Sequence, residues 1–496
     1  MRTSAGVVVS KDTTETGLVA LVGCPGCGAE SPLNTADRAF RCPFCQSSHL
    51  VVRKTKRPAF EVPSRIADER DALAAFVDDE KRRREIRLAG PAGPGPDRAM
   101  ESVTAAAVEA WGVKLLTETT LEAAHRFWAP YWHLAGRYYE ALVTTNGVGS
   151  KEIRVAMRPV ELVAPAFAAG LPLPAMGRLS YGMKLKPMTR RPAASLASGE
   201  STDIDVSASR LEKLEVIPDT PRLARDARLW AEDYALVYRP FWLLTVLCRR
   251  KRLQLLMDGG SRSLAGVLSD PEAATLAGAI RKDRTSFGEP FAFRPMRCPE
   301  CGNAFPLERQ EEVRFCATCG HAFRIEGERL ARVAYRMEPP PRSPRGTVLL
   351  PFWRFRFRLT DPADGAVTTT LGEISDRIGA DAGEDAAIDL VDVPAFFTRR
   401  ISNVSQELFV ASREAAPLIE GPVRTEMGYP GKTRGATLLE PEGEFLARYA
   451  LALRVGALGL GRAGAVRLRR FLFDAPLHLT ARGLVLRVFR VGELAP

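Results

Sequence analysis

Eight of the nine cysteines form four C-x-x-C pairs, and their spacing is the strongest chemical signal in the sequence. The pairs combine into two sets, Cys24, Cys27, Cys42 and Cys45, and Cys298, Cys301, Cys316 and Cys319. In each set fourteen residues separate the two pairs. Two cysteines on one tight turn can offer both thiolates to one metal ion, and four thiolates complete the tetrahedron that Zn²⁺ prefers. Since the N-terminus lacks the features of an export signal, the pattern predicts two metal sites rather than disulfides.

The residues that follow the pairs agree with this interpretation. Gly28, Gly302 and Gly320 each follow the second cysteine of a pair, where the turn requires a positive φ, and Gln46 takes that place in the fourth turn. Residues 23–50 and 297–325 therefore resemble the zinc-ribbon superfamily, whose CPxCG knuckles occur in transcription-factor ribbons. The resemblance implies two Zn²⁺ ions per chain, with iron, as in the similar rubredoxin knuckle, as the less favoured metal.

The same residues argue against catalysis. Four cysteine ligands close the coordination sphere, whereas a catalytic zinc keeps one open position. His49 and His321 lie just beyond the last cysteines and are expected to be solvated or to support the ligands. The G-x-G-x-x-G match at 459–464 lacks the helix and second strand of a dinucleotide fold. We find no nucleophile–histidine signature, and the sequence predicts a protein that is not an enzyme.

A second pattern recurs outside the cysteine sets. Three stretches begin with proline, an aromatic residue and tryptophan, followed by a β-rich run, a turn signal and a further β-rich or Thr-rich run, which is typical of a β-hairpin. We expect the prolines to lie where the strands start, where they cost no ladder bond. The proline and tryptophan anchors are Pro130 and Trp132, Pro240 and Trp242, and Pro351 and Trp353. The C-terminal stretch 474–491 is a candidate for a fourth, degenerate strand pair.

The third stretch, "LLPFWRFRFRLT" at 349–360, alternates between aromatic and basic residues. Period-two alternation places Trp353, Phe355, Phe357 and Leu359 on one face of a strand, which we expect to be core. Arg354, Arg356 and Arg358 then share the other face, either as a solvated surface or as a contact surface that this stretch does not share with the other two.

The elements that position these residues give an α+β, β-rich, multidomain chain, in which two four-cysteine zinc ribbons and three repeated Pro-aromatic-Trp hairpin modules have amphipathic helices between them. A helix with Ser64 as its N-cap and an apolar stripe of Ile66, Leu73, Phe76 and Val77 follows the first ribbon, and 221–236 suit another helix. The predicted segments are ribbon 1 (18–57), a charged helix and Pro/Gly linker (58–97), hairpin module 1 (98–200), hairpin module 2 (201–290), ribbon 2 (291–330), hairpin module 3 (331–420) and a β-rich tail (421–496).

The composition of the chain limits the classes of binding partner but does not select one of them. The 496 residues carry a net charge of +11, which permits nucleic acid, anionic lipid or acidic protein as partner. The abundance of arginine suggests a GC-rich, bacterial genome, and no stretch is apolar enough to span a membrane. We therefore expect a cytoplasmic, non-catalytic scaffold that binds other proteins. The first alternative is a nucleic-acid-binding protein, and the second is a peripheral membrane-associated factor that uses the basic runs "CRRKR" and "KRRRE". The sequence does not indicate an oligomeric state.

Overall fold

The computed structural model describes most of the chain. The described residues are 7–8, 18–35, 37–55, 58–89, 109–145, 151–168, 170–174, 184–187, 200–202, 224–248, 250–281, 287–305, 311–326, 329–339, 347–361, 364–379, 381–396, 418–421, 432–433, 435–456 and 477–490. The predicted linker at 90–97 and the glycine motif at 459–464 lie outside them.

Most of the described residues are in strands, in agreement with a β-rich fold. The strands are β1 Val7–Val8, β2 Val19–Gly23, β3 Glu30–Asn34, β4 Ala39–Arg41, β5 Ser48–Arg53, β6 Ala59–Glu61, β7 Thr119–Thr145, β8 Lys151–Pro165, β9 Lys184–Pro187, β10 Glu200–Thr202, β11 Ala224–Cys248, β12 Lys251–Asp258, β13 Ser263–Leu268, β14 Ile280–Arg281, β15 Phe291–Pro295, β16 Val313–Phe315, β17 Ala322–Glu326, β18 Arg329–Val333, β19 Tyr335–Met337, β20 Thr347–Thr360, β21 Val367–Thr368, β22 Leu390–Pro394, β23 Ile419–Glu420, β24 Lys432–Thr433 and β25 Leu477–Arg490. The helices are α1 Glu69–Ala89, α2 (109–117), α3 Asp270–Ala279, α4 Leu371–Ile378 and α5 Glu440–Gly456.

The first helix begins later than the sequence predicts. It starts at Glu69, and the Asp68 carboxylate caps it by accepting a hydrogen bond from the Asp71 amide at 2.9 Å. The prediction of Ser64 as N-cap was wrong, because the Ser64 side chain bonds the backbone of Ile66, ahead of the helix. The predicted apolar stripe does pack inward, and Phe76 and Val77 are buried in one cluster with Trp242.

Two long strands form the centre of the larger sheet. β7 and β11 have 27 and 25 residues and pair antiparallel along nearly their full length. The sheet order is β1-β8-β7-β11-β6-β9-β2-β3, and β12 and β13 extend it from β11. The helix predicted for 221–236 was wrong, because from Ala224 onward these residues pair with β7, and strand pairing overrides a weak local helical pattern.

A smaller sheet holds the third Pro-aromatic-Trp strand. Its order is β21-β20-β25-β19-β23, with β22 and β24 also pairing with β20. Helix α5 covers one face, where Gly443 leaves room for Trp353, and a Cβ at Gly443 would lie 2.8 Å from that ring. The Trp353 indole donates to the Leu438 carbonyl at 3.0 Å. The first two Pro-aromatic-Trp strands therefore share one sheet, and the third lies in another.

The three prolines occupy one backbone setting. Each lies inside a long strand, not at its start as expected, one residue beyond the end of the partner strand's ladder. The proline carbonyl accepts a hydrogen bond from the backbone N–H of the residue that follows the paired part of the partner strand. Because strand pairing has ended at that point, the N–H that proline lacks costs no further hydrogen bond. The bonds run from Ala166 to Pro130 (3.0 Å), from Gly259 to Pro240 (2.8 Å) and from Ala395 to Pro351 (2.9 Å). The aromatic residues that follow pair in the same register, as Tyr131 with Pro165, Phe241 with Asp258 and Phe352 with Pro394.

The two sheets have the same order and direction of strand pairing around one long strand. In the first, β11 pairs antiparallel with β7 and parallel with β6, the strand that follows the first cysteine set. In the second, β25 pairs antiparallel with β20 and parallel with β19, which follows the second set. Leu236 of β11 lies opposite Trp132, and Leu484 of β25 lies opposite Trp353. The stretch 474–491 thus contributes one strand, in the place that β11 has in the other sheet, rather than a strand pair.

Candidate metal centres

Each cysteine pair lies on a knuckle closed by a backbone hydrogen bond. The residue after the second cysteine has a positive φ and donates its N–H to the carbonyl of the first cysteine. These residues are Gly28 (φ 76°, 2.8 Å), Gln46 (61°, 3.0 Å), Gly302 (73°, 2.9 Å) and Gly320 (74°, 2.8 Å). Gln46 is a non-glycine residue in the left-handed region, where its side-chain amide donates to the Pro43 carbonyl at 2.9 Å.

The sulfur atoms of each set converge on one point. In ribbon 1 the Sγ atoms of Cys24 and Cys45, and those of Cys27 and Cys42, are 3.7 Å apart. In ribbon 2 the corresponding distances are 3.6 Å and 3.5 Å. All four ligand atoms of each set lie within 4.8 Å of one another. A tetrahedron with metal–sulfur bonds of ~2.3 Å has edges of about 3.8 Å, so both clusters fit a four-coordinate metal ion.

Within each cluster the backbone lowers the pKa of some thiols, whereas burial and the neighbouring thiols outweigh the backbone bonds and raise the pKa of Cys27, Cys298 and Cys319. Burial acts to raise the pKa of Cys24, but hydrogen bonds from the Cys27 and Gly26 backbones outweigh it and lower that pKa to about 5. For Cys316 burial again acts upward, and hydrogen bonds from the Cys319 and Thr318 backbones lower the pKa to about 7. Because a metal ion binds the deprotonated sulfur, the backbone prepares these ligands for it.

The two histidines support the sulfur atoms and are not members of either cluster. His321 Nδ1 lies 3.4 Å from the Cys319 Sγ. In ribbon 1 a serine intervenes, with Ser47 Oγ 3.0 Å from the Cys45 Sγ and 2.9 Å from His49 Nε2. Both arrangements orient a ligand from outside the four sulfur atoms.

The two ribbons pack against each other, which sequence reasoning missed. β15, the first strand of ribbon 2, pairs antiparallel with β5 of ribbon 1. Ala39 and Leu50 of ribbon 1 are buried in one cluster with Cys298, Cys316 and Cys319. Arg38 and Glu312 form an ion pair across the contact at 3.0 Å. The strand-like run "FAFR" at 291–294 was the available signal, but sequence spacing does not indicate its partner.

Ribbon 2 also contacts the smaller sheet. Val313 pairs with Ala436, close to the start of α5. Tyr335 of β19 donates its hydroxyl to the Gly320 carbonyl at 2.7 Å and packs edge-on against Phe315, with ring centroids 5.2 Å apart. Ribbon 2 therefore lies between ribbon 1 and the C-terminal sheet.

The exposure of the thiols differs between the clusters. In ribbon 1 Cys24 and Cys42 are buried, whereas Cys27 and Cys45 are exposed. In ribbon 2 three cysteines are buried and Cys301 is half-buried. Phe44, at the tip of a ribbon 1 knuckle, is 67% exposed.

The three arginines of β20 differ in burial, and the aromatic residues between them share one buried face. The aromatic face is buried, with Trp353, Phe355 and Phe357 at most 4% exposed, as predicted. On the other face Arg354 is buried in a bidentate pair with Asp392, with two N–O distances of 2.6 Å. Exposed Arg356 pairs with Asp389 at 2.9 Å, and Arg358 is exposed.

The other tryptophan anchors are core residues as well. Trp132 is 2% exposed and Trp242 is 3% exposed, and they belong to two separate core clusters. None of the helices in the described part of the chain has the length and apolar character needed to cross a bilayer.

No family model matches the chain, and no curated protein or solved structure is significantly similar to it. The chain carries two four-cysteine clusters of zinc-ribbon-like geometry, each able to hold a metal ion.

Proposed function

We propose that the protein is a non-catalytic zinc-binding scaffold in a bacterial cytoplasmic assembly, with one Zn²⁺ in each ribbon. The observation that carries this is the position of ribbon 2, whose buried thiols form one core with ribbon 1. A closed four-thiolate site at such a junction serves to hold segments in place. Zinc has no redox chemistry of its own and suits this role better than iron.

The proposal includes an internal duplication of the chain. We infer that the three Pro-aromatic-Trp strand pairs are copies of one module, and that the chain arose by duplication of a unit of ribbon, short parallel strand and module. Support comes from the shared register at the prolines and from the stretches "ALVYRPF" (235–241) and "GLVLRVF" (483–489), which occupy matching places in β11 and β25.

The exposed tip of ribbon 1 is the surface that we assign to a protein partner. Phe44 is exposed on a knuckle that is closed by the hydrogen bond from the Gln46 N–H to the Cys42 carbonyl, and aromatic side chains are frequent interface hot spots. Nucleic-acid binding through the β20 row is less favoured, because Arg354 and Arg356 already hold carboxylates. Membrane binding through the basic end of α1 is also less favoured, since Lys81 pairs with Glu109 and Arg83 with Asp79.

Metal analysis is the first test. Protein purified under reducing conditions is expected to contain two zinc ions per chain by elemental mass spectrometry. Removal by a strong chelator should unfold both ribbons, because the metal supplies most of the folding free energy of such small modules. Fewer than two zinc ions, or iron in their place, would contradict the proposal.

Partner binding tests the surface. Affinity purification from the native host is expected to recover a stoichiometric protein with the wild-type chain and to lose it with Phe44→Ser, a loss of about 2 kcal/mol or more at a hot spot. Val267→Ser, at a residue that is 58% exposed elsewhere, is the matched control and should retain the partner. Binding to random DNA or RNA that collapses steeply with salt would instead favour the nucleic-acid alternative.

A further inference from the structure

The two metal centres differ in how the rest of the molecule covers them. Ala39 and Leu50 of ribbon 1 belong to the hydrophobic cluster in which the ribbon 2 thiols are buried. Within the described residues nothing equivalent covers Cys27 and Cys45, which are exposed. The neighbours of these cysteines along the knuckles, from Pro25 to Gly28 and from Pro43 to Gln46, are exposed too.

Exposure controls the chemistry of a zinc-bound thiolate. An oxidant must reach the sulfur atom, and susceptibility to oxidation follows thiolate character and accessibility. Both clusters consist of four thiolates when metal is bound, so accessibility is what separates them. Each exposed sulfur also has a buried neighbour close by, at 3.7 Å between Cys45 and Cys24 and at 3.7 Å between Cys27 and Cys42.

We propose that ribbon 1 is a peroxide-sensitive zinc switch and that ribbon 2 is a permanent structural site. The Cys45 thiolate attacks hydrogen peroxide, the O–O bond breaks, one oxygen stays on sulfur as sulfenic acid and the other leaves as hydroxide. The Cys24 thiolate then attacks that sulfur and expels a second hydroxide. The two thiolates have lost two electrons in total and one disulfide has formed, so that only Cys27 and Cys42 would remain as thiolate ligands for a zinc ion in ribbon 1.

The switch would act on the surface that carries Phe44. This residue lies between Cys42 and Cys45, so loss of zinc removes the constraint that holds its knuckle. Partner binding is then expected to require the reduced, zinc-loaded ribbon 1. This consequence rests on the proposed scaffold function, whereas the difference between the two metal centres rests only on zinc occupying both.

The experiment measures zinc release and maps the oxidised cysteines. Full-length protein shown to hold two zinc ions is treated with hydrogen peroxide in the presence of a chromogenic zinc chelator. We expect one zinc ion per chain to be released about tenfold or more faster than the other, as accessibility dictates. Peptide mass spectrometry after alkylation should place the first disulfide within 24–45. Release of both ions at one rate, or a first disulfide within 298–319, would overturn the proposal.

Two matched variants isolate the exposed thiolate. Cys45→His keeps four metal ligands in a Cys₃His site and is expected to slow the fast phase while retaining two zinc ions, because Cys27 then remains as the exposed thiolate of ribbon 1. Cys319→His makes the same change in ribbon 2 and should leave the fast phase intact. If a variant does not retain its zinc, the wild-type peptide map still decides. Fewer than two zinc ions before peroxide is a separate result, which counts against the proposed function and not against the order of oxidation.

Discussion

Replacing Cys316 by serine is expected to remove one zinc ion per chain and to unfold ribbon 2 together with its contacts on both sides. Structural zinc in small modules contributes about 10–16 kcal/mol of apparent binding free energy, which is comparable to the whole stability of a typical domain. Cys316 is 1% exposed and belongs to the cluster shared with ribbon 1. Zinc analysis, circular dichroism and limited proteolysis should show new cleavage around 313–337.

The matching substitution in ribbon 1 provides the control. Cys27→Ser also removes one ligand and should also lower the zinc content to one per chain. Because Cys27 is exposed, and Val313 and Gly320 of ribbon 2 make the contacts with the smaller sheet described above, that sheet should stay protected from protease. Equal proteolysis of the two variants would contradict the view that ribbon 2 joins ribbon 1 to the C-terminal sheet.

Replacing Asp392 by alanine is expected to destabilise the protein by about 3–5 kcal/mol, because it leaves the buried Arg354 guanidinium without its carboxylate. The side chains of Arg354 and Asp392 are at most 10% exposed. The two residues are 38 positions apart in the sequence, and the pairing of β22 with β20 brings them together. Chemical denaturation measures the loss as a fall in the transition midpoint.

Two further variants test whether the loss of stability comes from the burial of the Arg354–Asp392 ion pair. Asp389→Ala removes the carboxylate of the solvent-exposed Arg356 pair and should cost at most about 1 kcal/mol. The double substitution Arg354→Met with Asp392→Leu removes both buried charges and is expected to recover most of the stability lost in Asp392→Ala. Equal losses for Asp392→Ala and Asp389→Ala would show that burial of the Arg354 pair has no energetic weight.

Local chemistry explains which features could be predicted from sequence. The cysteine clusters follow from spacing along a turn, and their glycines follow from a backbone angle, so both were accessible. The buried face of β20 followed from alternation, which depends only on neighbouring residues. Each is decided within a few positions of the chain.

What escaped prediction depends on distant residues. Nothing near Arg354 in sequence indicates Asp392, so a row of three arginines could not be divided into one buried and two exposed members. The start of β11 has a pattern compatible with a helix, and only its pairing with β7 makes it a strand. The packing of ribbon 1 on ribbon 2 joins residues as distant as Arg38 and Glu312.

The order of synthesis gives the arginine row a second significance. β20 has β25 as its longest partner, and more than a hundred residues of chain, about a third of a minute or less of translation at ordinary rates, separate the two strands. During that interval the newly made Trp353, Phe355 and Phe357 lack their main neighbour. Charges interleaved with an apolar segment oppose its aggregation, and the alternation along β20 places Arg354, Arg356 and Arg358 between those aromatic residues.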